Sequence, residues 1–287
     1  MSPTLDLYHR VTDKIIADLE AGTPTWRQPW QAGHAAGSFS RPLRAGGQPY
    51  QGINVIMLWA SAMEKGFSCP IWLTYKQAQD IGGQVKKGEK GSLVVYSNTL
   101  AKTETDEKGE EAEKKIPFLK GYTVFNAEQI DGLPGHFYAQ AEPKQAEIER
   151  MEAVDKFFLH IGAVIRHGGD RAYYAPGSDH VQMPEPSAFH DGESYYATIA
   201  HEMTHWTSHP SRLDRDFGRK RWGDEGYAME ELVAEIGAAF LCADLSITPE
   251  TREDHAAYIA SWLKVLKQDK RAIFTAASHA QRAVDHL

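Results

Sequence analysis

His201-Glu202-Met203-Thr204-His205 reads H-E-x-x-H, and the run Tyr195 to Ala200 before it has helical character. On a helix, residues four apart share a face, so His201 and His205 can turn two imidazoles towards one ion. Glu202 then stands beside a metal-bound water as its general base. A site of this kind needs a third protein ligand and one open position. His209 is four residues further on, about 6 Å along the helix axis, and serves only if the chain turns sharply after His205. Glu231 and Glu235 are stronger candidates. They lie four apart on an apolar helix expected over Tyr227 to Asp244, where a buried acid is costly unless paired or metal-bound. We assign Glu231 as ligand and Glu235 as acceptor of a ligand histidine's second N–H, with the reverse assignment open. Glu230 is read as a solvated neighbour. Tyr195, Tyr196, His180 and Tyr227 are equal candidates for stabilising an oxyanion. The expected cofactor is one divalent ion, Zn2+ by ligand type, with Mn2+ or another metal as the alternative.

Helical spacing of Leu5, Tyr8, Val11, Ile15 and Leu19 predicts a helix from Thr4 to Glu20, stopped by Gly22 and Pro24. A second helix is expected over Asn54 to Glu64. Ile71 to Leu73 reads as a strand, and Thr74 as the cap of a helix through Asp80. Leu93 to Tyr96 and Tyr122 to Phe125 read as strands, with the charged run Lys102 to Lys115 as a mobile hairpin loop between them. Helix Ala146 to Ile161 opens the second half. Short strands at Ala163–Ile165, Ala172–Tyr174 and His180–Met183 precede the H-E-x-x-H helix, and Thr248-Pro249 starts a later one. The division is residues 1–138, a linker over 139–146, and 147–287, with an α+β class overall.

The chain has 287 residues and a net charge of -8, yet residues 21–98 carry eight Lys/Arg against three acids. A basic region in an acidic chain invites a nucleic-acid reading. Trp26, Trp30, Phe39, Tyr50, Trp59, Trp72 and Tyr75 crowd the same region, beside Arg27, Arg41, Lys86, Lys87 and Lys90. Aromatic platforms beside cations bind single strands without sequence preference. The turn Lys86-Lys87-Gly88-Glu89-Lys90 could follow a phosphate backbone. Two distant cysteines, Cys69 and Cys242, make no disulfide framework, which fits a cytoplasmic setting. No run suits a membrane span and no signal peptide is expected.

Both halves together carry a resemblance. Met183-Pro184, Phe189, Tyr195-Tyr196-Ala197-Thr198, His201 to Thr207, His209, Arg212-Leu213 and Tyr227 to Glu235 resemble the metallopeptidase-like half of ArdC antirestriction proteins. Trp26, Pro29-Trp30, Tyr50, Gly52-Ile53-Asn54, Trp72-Leu73-Thr74, Lys87 to Lys90 and Val124-Phe125-Asn126 resemble the other half. The same module is found at the N-terminus of some plasmid-encoded DNA primases. The resemblance implies an N-terminal α+β domain that binds single-stranded DNA, with Asn54 among its contacts, followed by a zincin-like metallopeptidase domain. It implies protection of transferred DNA from host restriction, on plasmids and phages. Two other readings remain: a cytoplasmic metalloprotease whose aromatic region docks a protein substrate, and a DNA-binding protein with a structural zinc.

Overall fold

The structure, a computed structural model, describes residues 3–22, 26, 40–105, 111–138, 147–218, 223–247 and 255–287. Helix α1 (Pro3–Glu20) buries Val11, Ile15 and Leu19 of the expected stripe together with Leu7 and Ile16, while Tyr8 is half-buried. Helix α2 (Ile53–Lys65) ends on Gly66 in the left-handed conformation, which closes it with hydrogen bonds to Ala62 and Met63 carbonyls. Strands β1 (Leu43–Arg44), β2 (Ile71–Leu73), β4 (Ser92–Thr105) and β5 (Glu111–Asn126) form a sheet in the order β1-β2-β5-β4. Thr74 caps α3 (Tyr75–Asp80) through a capping box with Gln77. Strands β3 (Gln84–Val85) and β6 (Ile130–Asp131) pair antiparallel beside it.

Both described ends of the charged run expected as a loop, 102–105 and 111–115, are part of the sheet. Pairing of β4 with β5 continues from Ser92↔Val124 out to Thr105↔Glu111. The run lacks a core face, but a hairpin ladder is satisfied by the backbone, and Thr103 and Thr105 suit extended structure.

Helix α4 (Glu147–Ile161) leads to β7 (Val164–His167), β8 (Tyr173–Ala175) and β9 (His180–Met183), ordered β7-β9-β8 with β7 parallel to β9. Four helices follow: α5 (Gly192–Trp206), α6 (Glu225–Asp244), α7 (His255–Gln268) and α8 (Ala272–His286). The expected linker 139–146 and the start at Thr248-Pro249 lie outside the described residues.

The largest core runs across both halves of the sequence. It joins Leu7, Ile15, Val55, Ile56 and Trp59 to Leu232, Ile236, Phe240, Trp262 and Ile273. Trp59 meets Phe240 edge-on at 5.9 Å. Buried Arg41 lies over the Phe240 ring and donates to Gln281 Oε1 (2.7 Å) and Asp244 Oδ2 (2.6 Å). Helix α6 therefore has the N-terminal half on one side and α5 on another.

Candidate metal centre

Two capped helices set up the site. Asp191 accepts from the Ser194 main-chain N–H at 2.7 Å and starts α5; Asp224 accepts from Tyr227 N–H at 2.8 Å and starts α6. The helices approach closely where Gly237 faces Thr204: a Cβ there would lie 2.6 Å from Thr204 Cγ2. That approach brings the acids of α6 onto the histidines of α5.

Ligand atoms of His201, His205 and Glu231 lie within 4.8 Å of one another, and among the described residues no other such group occurs. His201 Nε2 stands 3.6 Å from Glu231 Oε2, and His205 Nε2 stands 3.6 Å from Glu231 Oε1. Ligands about 2.1 Å from a tetrahedral ion stand roughly 3.4 Å apart, so the residues present fit a divalent ion. Their rear faces are held as well. His201 Nδ1 is 3.4 Å from Glu235 Oε1, and His205 Nδ1 is 3.0 Å from Glu230 Oε1. With both Nδ1 atoms turned to carboxylates, both Nε2 lone pairs face the centre. Burial pushes the Glu231 carboxyl up, but the adjoining His201 and His205 imidazoles, protonated when no ion holds their Nε2 atoms, outweigh it and hold it at about 2. It is therefore ionised, the form a ligand needs. Glu202 is buried beside His201 in the same helix.

Glu230 is not the solvated neighbour expected. Arg215 Nε and Nη2 donate to its two oxygens at 2.8 and 2.7 Å, alongside His205. The acid-acid pair Glu230-Glu231 held the signal, since consecutive helical residues cannot share one face yet both can reach a pair of neighbours on α5. Arg215 sits in an irregular loop with no periodicity to mark it. His209 accepts from Ser211 and stays outside the cluster. Of the four oxyanion candidates, Tyr227 is the one at the ligands: its hydroxyl lies 3.0 Å from Tyr258 Oη and helps to lower the Glu231 carboxyl. Tyr195 pairs with His167, Tyr196 with Asp155, and His180 with Ser178.

Residues 152–279 match the zincin-like metallopeptidase family, and residues 5–125 match the N-terminal domain of anti-restriction factor ArdC. The crystal structure of antirestriction protein ArdC from plasmid R388, metal-free, is 52% identical and superposes with a TM-score of 0.81, over 98% of this chain and 96% of that one. This chain belongs to the ArdC antirestriction family. A Mn(II)-bound structure of the same plasmid protein is 50% identical, with a TM-score of 0.79, over 97% of this chain and 96% of that one. Protein y4eC of Sinorhizobium fredii (strain NBRC 101917 / NGR234) is 45% identical over 292 residues, covering 100% of this chain and 92% of that protein. DNA primase TraC of Escherichia coli is 40% identical over 98% of this chain, which spans only 27% of the primase. No described helix is long and apolar enough to cross a membrane.

In this ArdC-family chain, several residues expected to meet DNA are structural. Trp26 and Trp72 are fully buried, against Trp262 and Phe67 respectively. Tyr50 is buried with the Arg44 guanidinium 5.4 Å from its ring centre. Buried rings offer no face to a base, and the apolar area of an aromatic makes the core its favoured place. Arg41 is consumed by Asp244 and Gln281. Asn54 ties α2 to β4, donating to Val95 O and accepting from Val95 N–H, both at 2.8 Å. Arg27 and Trp30 lie outside the described residues. Tyr75, Lys87 and Lys90 are exposed, as is Tyr96, which the sequence did not single out. The lysine turn closes through Glu89 N–H to Lys86 O at 3.2 Å, with Gly88 at φ +90°. Lys86 donates to Glu128 O (2.8 Å).

Proposed function

We propose that this chain binds single-stranded DNA through its N-terminal half and carries a zinc-dependent peptidase site in its C-terminal half, so protecting transferred DNA from restriction. The observation that carries the second part is the convergence of His201, His205 and Glu231 ligand atoms within 4.8 Å. A divalent ion held there would supply Lewis acidity, acidifying the attacking water and polarising a scissile carbonyl. Glu202, buried beside the ligands, takes the proton released and returns it to the leaving amine. Glu231 and the two histidines would hold the ion, Glu235 and Glu230 stand behind the rings, and Tyr227 lies beside the ligand carboxylate.

For DNA, the support is the exposed set Tyr75, Tyr96, Lys87 and Lys90, together with a groove of about 310 Å3 between α1, α2 and β4. Arg10, Lys14, Lys65 and Lys90 line its walls with a single acid, Glu64, which pairs with Lys14 at 3.1 Å, and Val11, Ile15 and Leu93 are among its apolar residues. Cations over an apolar floor suit a phosphodiester backbone with its sugars. The test is restriction protection of transferred DNA by the full chain and by Glu202→Ala. Protection by the wild type alone supports both halves of the proposal. Protection by both proteins makes DNA binding sufficient and removes proteolysis from the mechanism. Full-length protein lacking salt-dependent affinity for a single-stranded oligonucleotide refutes the DNA half.

A further inference from the structure

We propose that Arg215 is a positioning residue for the metal site, acting through Glu230 on the ligand His205. The inference rests on the metal-site reading above. Arg215 is buried, and removing a guanidinium from water costs several kcal/mol unless its donors are satisfied. Here they are: Nε and Nη2 form a fork on the two oxygens of Glu230, Nη1 donates to Thr207 Oγ1 (3.0 Å), and Nη2 also donates to Thr204 O (2.8 Å). Such a fork fixes the plane of a carboxylate, which a lysine cannot do.

What that fixed carboxylate touches is the point. Glu230 Oε1 lies 3.0 Å from His205 Nδ1. A carboxylate there makes Nδ1 the protonated nitrogen and leaves Nε2 unprotonated, 3.6 Å from Glu231. Glu230 could not keep this place unaided. Three acids of α6, Glu230, Glu231 and Glu235, are gathered around two imidazoles with Glu202 buried nearby. Without a fixed cation the third carboxylate would be repelled from its neighbours or turn towards the ion as a competing ligand. Arg215 balances that charge and, through Thr204 O and Thr207, holds it to the end of the helix that carries His201 and His205. The chain thus pins the ligand histidine from behind with a residue outside both helices.

The test is Zn2+ affinity of the full chain, measured by competition with a chromophoric chelator, for wild type, Arg215→Met, Arg215→Lys, Glu230→Gln and the Arg215→Met/Glu230→Gln double variant. Circular dichroism checks that each is folded. Arg215→Met and Glu230→Gln should each weaken Zn2+ binding by about 10–100-fold. The double variant should be no weaker than the poorer single variant, and Arg215→Lys should recover part of the loss. Wild-type affinity in folded Arg215→Met overturns the proposal. So does a double-variant loss equal to the product of the two single losses, because Arg215 would then act only through the end of α5. If Arg215→Met does not fold, wild-type affinity in both Arg215→Lys and Glu230→Gln overturns it equally. A wild type that binds no Zn2+ refutes the metal reading itself, a result distinct from all of these.

Discussion

Replacing Gly237 by Ala tests whether the approach of α5 and α6 builds the metal centre. The added Cβ would lie 2.6 Å from Thr204 Cγ2, 2.8 Å from Oγ1 and 3.3 Å from Cβ. Carbon atoms in contact prefer about 3.5–4.0 Å, so the helices must part by about 1 Å or Thr204 must turn. Thr204 is fully buried and its hydroxyl donates to Ala200 O at 2.8 Å, which opposes turning. Overpacking of this kind costs about 1–3 kcal/mol. Alanine regains about 1 kcal/mol of helix propensity, so the net loss of stability is about 0–2 kcal/mol. Metal affinity is the sharper measure, because ligand distances tolerate only about 0.2 Å. Glu231 and Glu235 lie six and two residues before Gly237 and move with it. We expect Gly237→Ala to bind Zn2+ at least about tenfold more weakly, a change of about 1.4 kcal/mol, in a chelator competition assay. Thr204→Ala in the same chain removes the two closest atoms and should restore affinity. Wild-type affinity in Gly237→Ala, or a double variant no better than the single, refutes the close-approach argument.

Arg41→Ala should lower unfolding free energy by about 2–3 kcal/mol in a urea titration, since it strips charged hydrogen bonds from Asp244 and Gln281; a loss below 0.5 kcal/mol, within the usual range of roughly neutral surface changes, would contradict the staple. Burial, then Arg282 and Arg215, push the His279 pKa down to about 4, so its neutral form favours the fold. Its unfolded pKa is near 6.5, so this contribution is full above that value and is lost as pH falls from about 6.5 towards 4, by at most about 2 kcal/mol after screening. His279→Gln should flatten stability over that window, and an unchanged pH slope would contradict the assignment. Zn2+ at 100 times its Kd should stabilise the chain by about 2.7 kcal/mol, read as a rise in Tm that chelation reverses and Glu231→Gln abolishes. Burial also raises the Cys242 thiol strongly, so it should resist a disulfide reagent until the chain unfolds; rapid labelling of native protein at Cys242 would place it wrongly.

What the sequence made legible follows from its physical signals. The H-E-x-x-H pair and the acids of α6 stood out because buried charge on an apolar helix demands a partner. Strand Ile71–Leu73, the Thr74 cap and strand His180–Met183 were local patterns that tertiary packing left alone. The role of Glu230 was hidden because its partners, His205 and Arg215, lie 25 and 15 residues away with no shared period. The aromatic region misled for a related reason. Tryptophan count and basic charge describe a stacking surface and a core equally well, and only the packing of Trp26 on Trp262 separates them.

That same packing determines how the two halves must be studied. Helix α6 carries Glu230, Glu231 and Glu235 towards α5, while Leu232, Ile236 and Phe240 enter the core that holds α1 and α2. A helix buried all round cannot relax on one side without moving the other. A fragment ending near residue 138 would expose Val55, Ile56 and Trp59 and leave Arg41 without Asp244 and Gln281. The fragment's weak DNA binding would then report a lost core rather than a missing site. Point variants in the full chain avoid this. Lys87→Glu with Lys90→Glu changes exposed side chains only, and should weaken binding of a single-stranded oligonucleotide while leaving the melting temperature and Zn2+ affinity unaltered. The reciprocal variant, Glu231→Gln, should do the reverse. Loss of DNA affinity in Glu231→Gln, with the fold intact, would refute the independence of the two sites and make α6 the element that couples them.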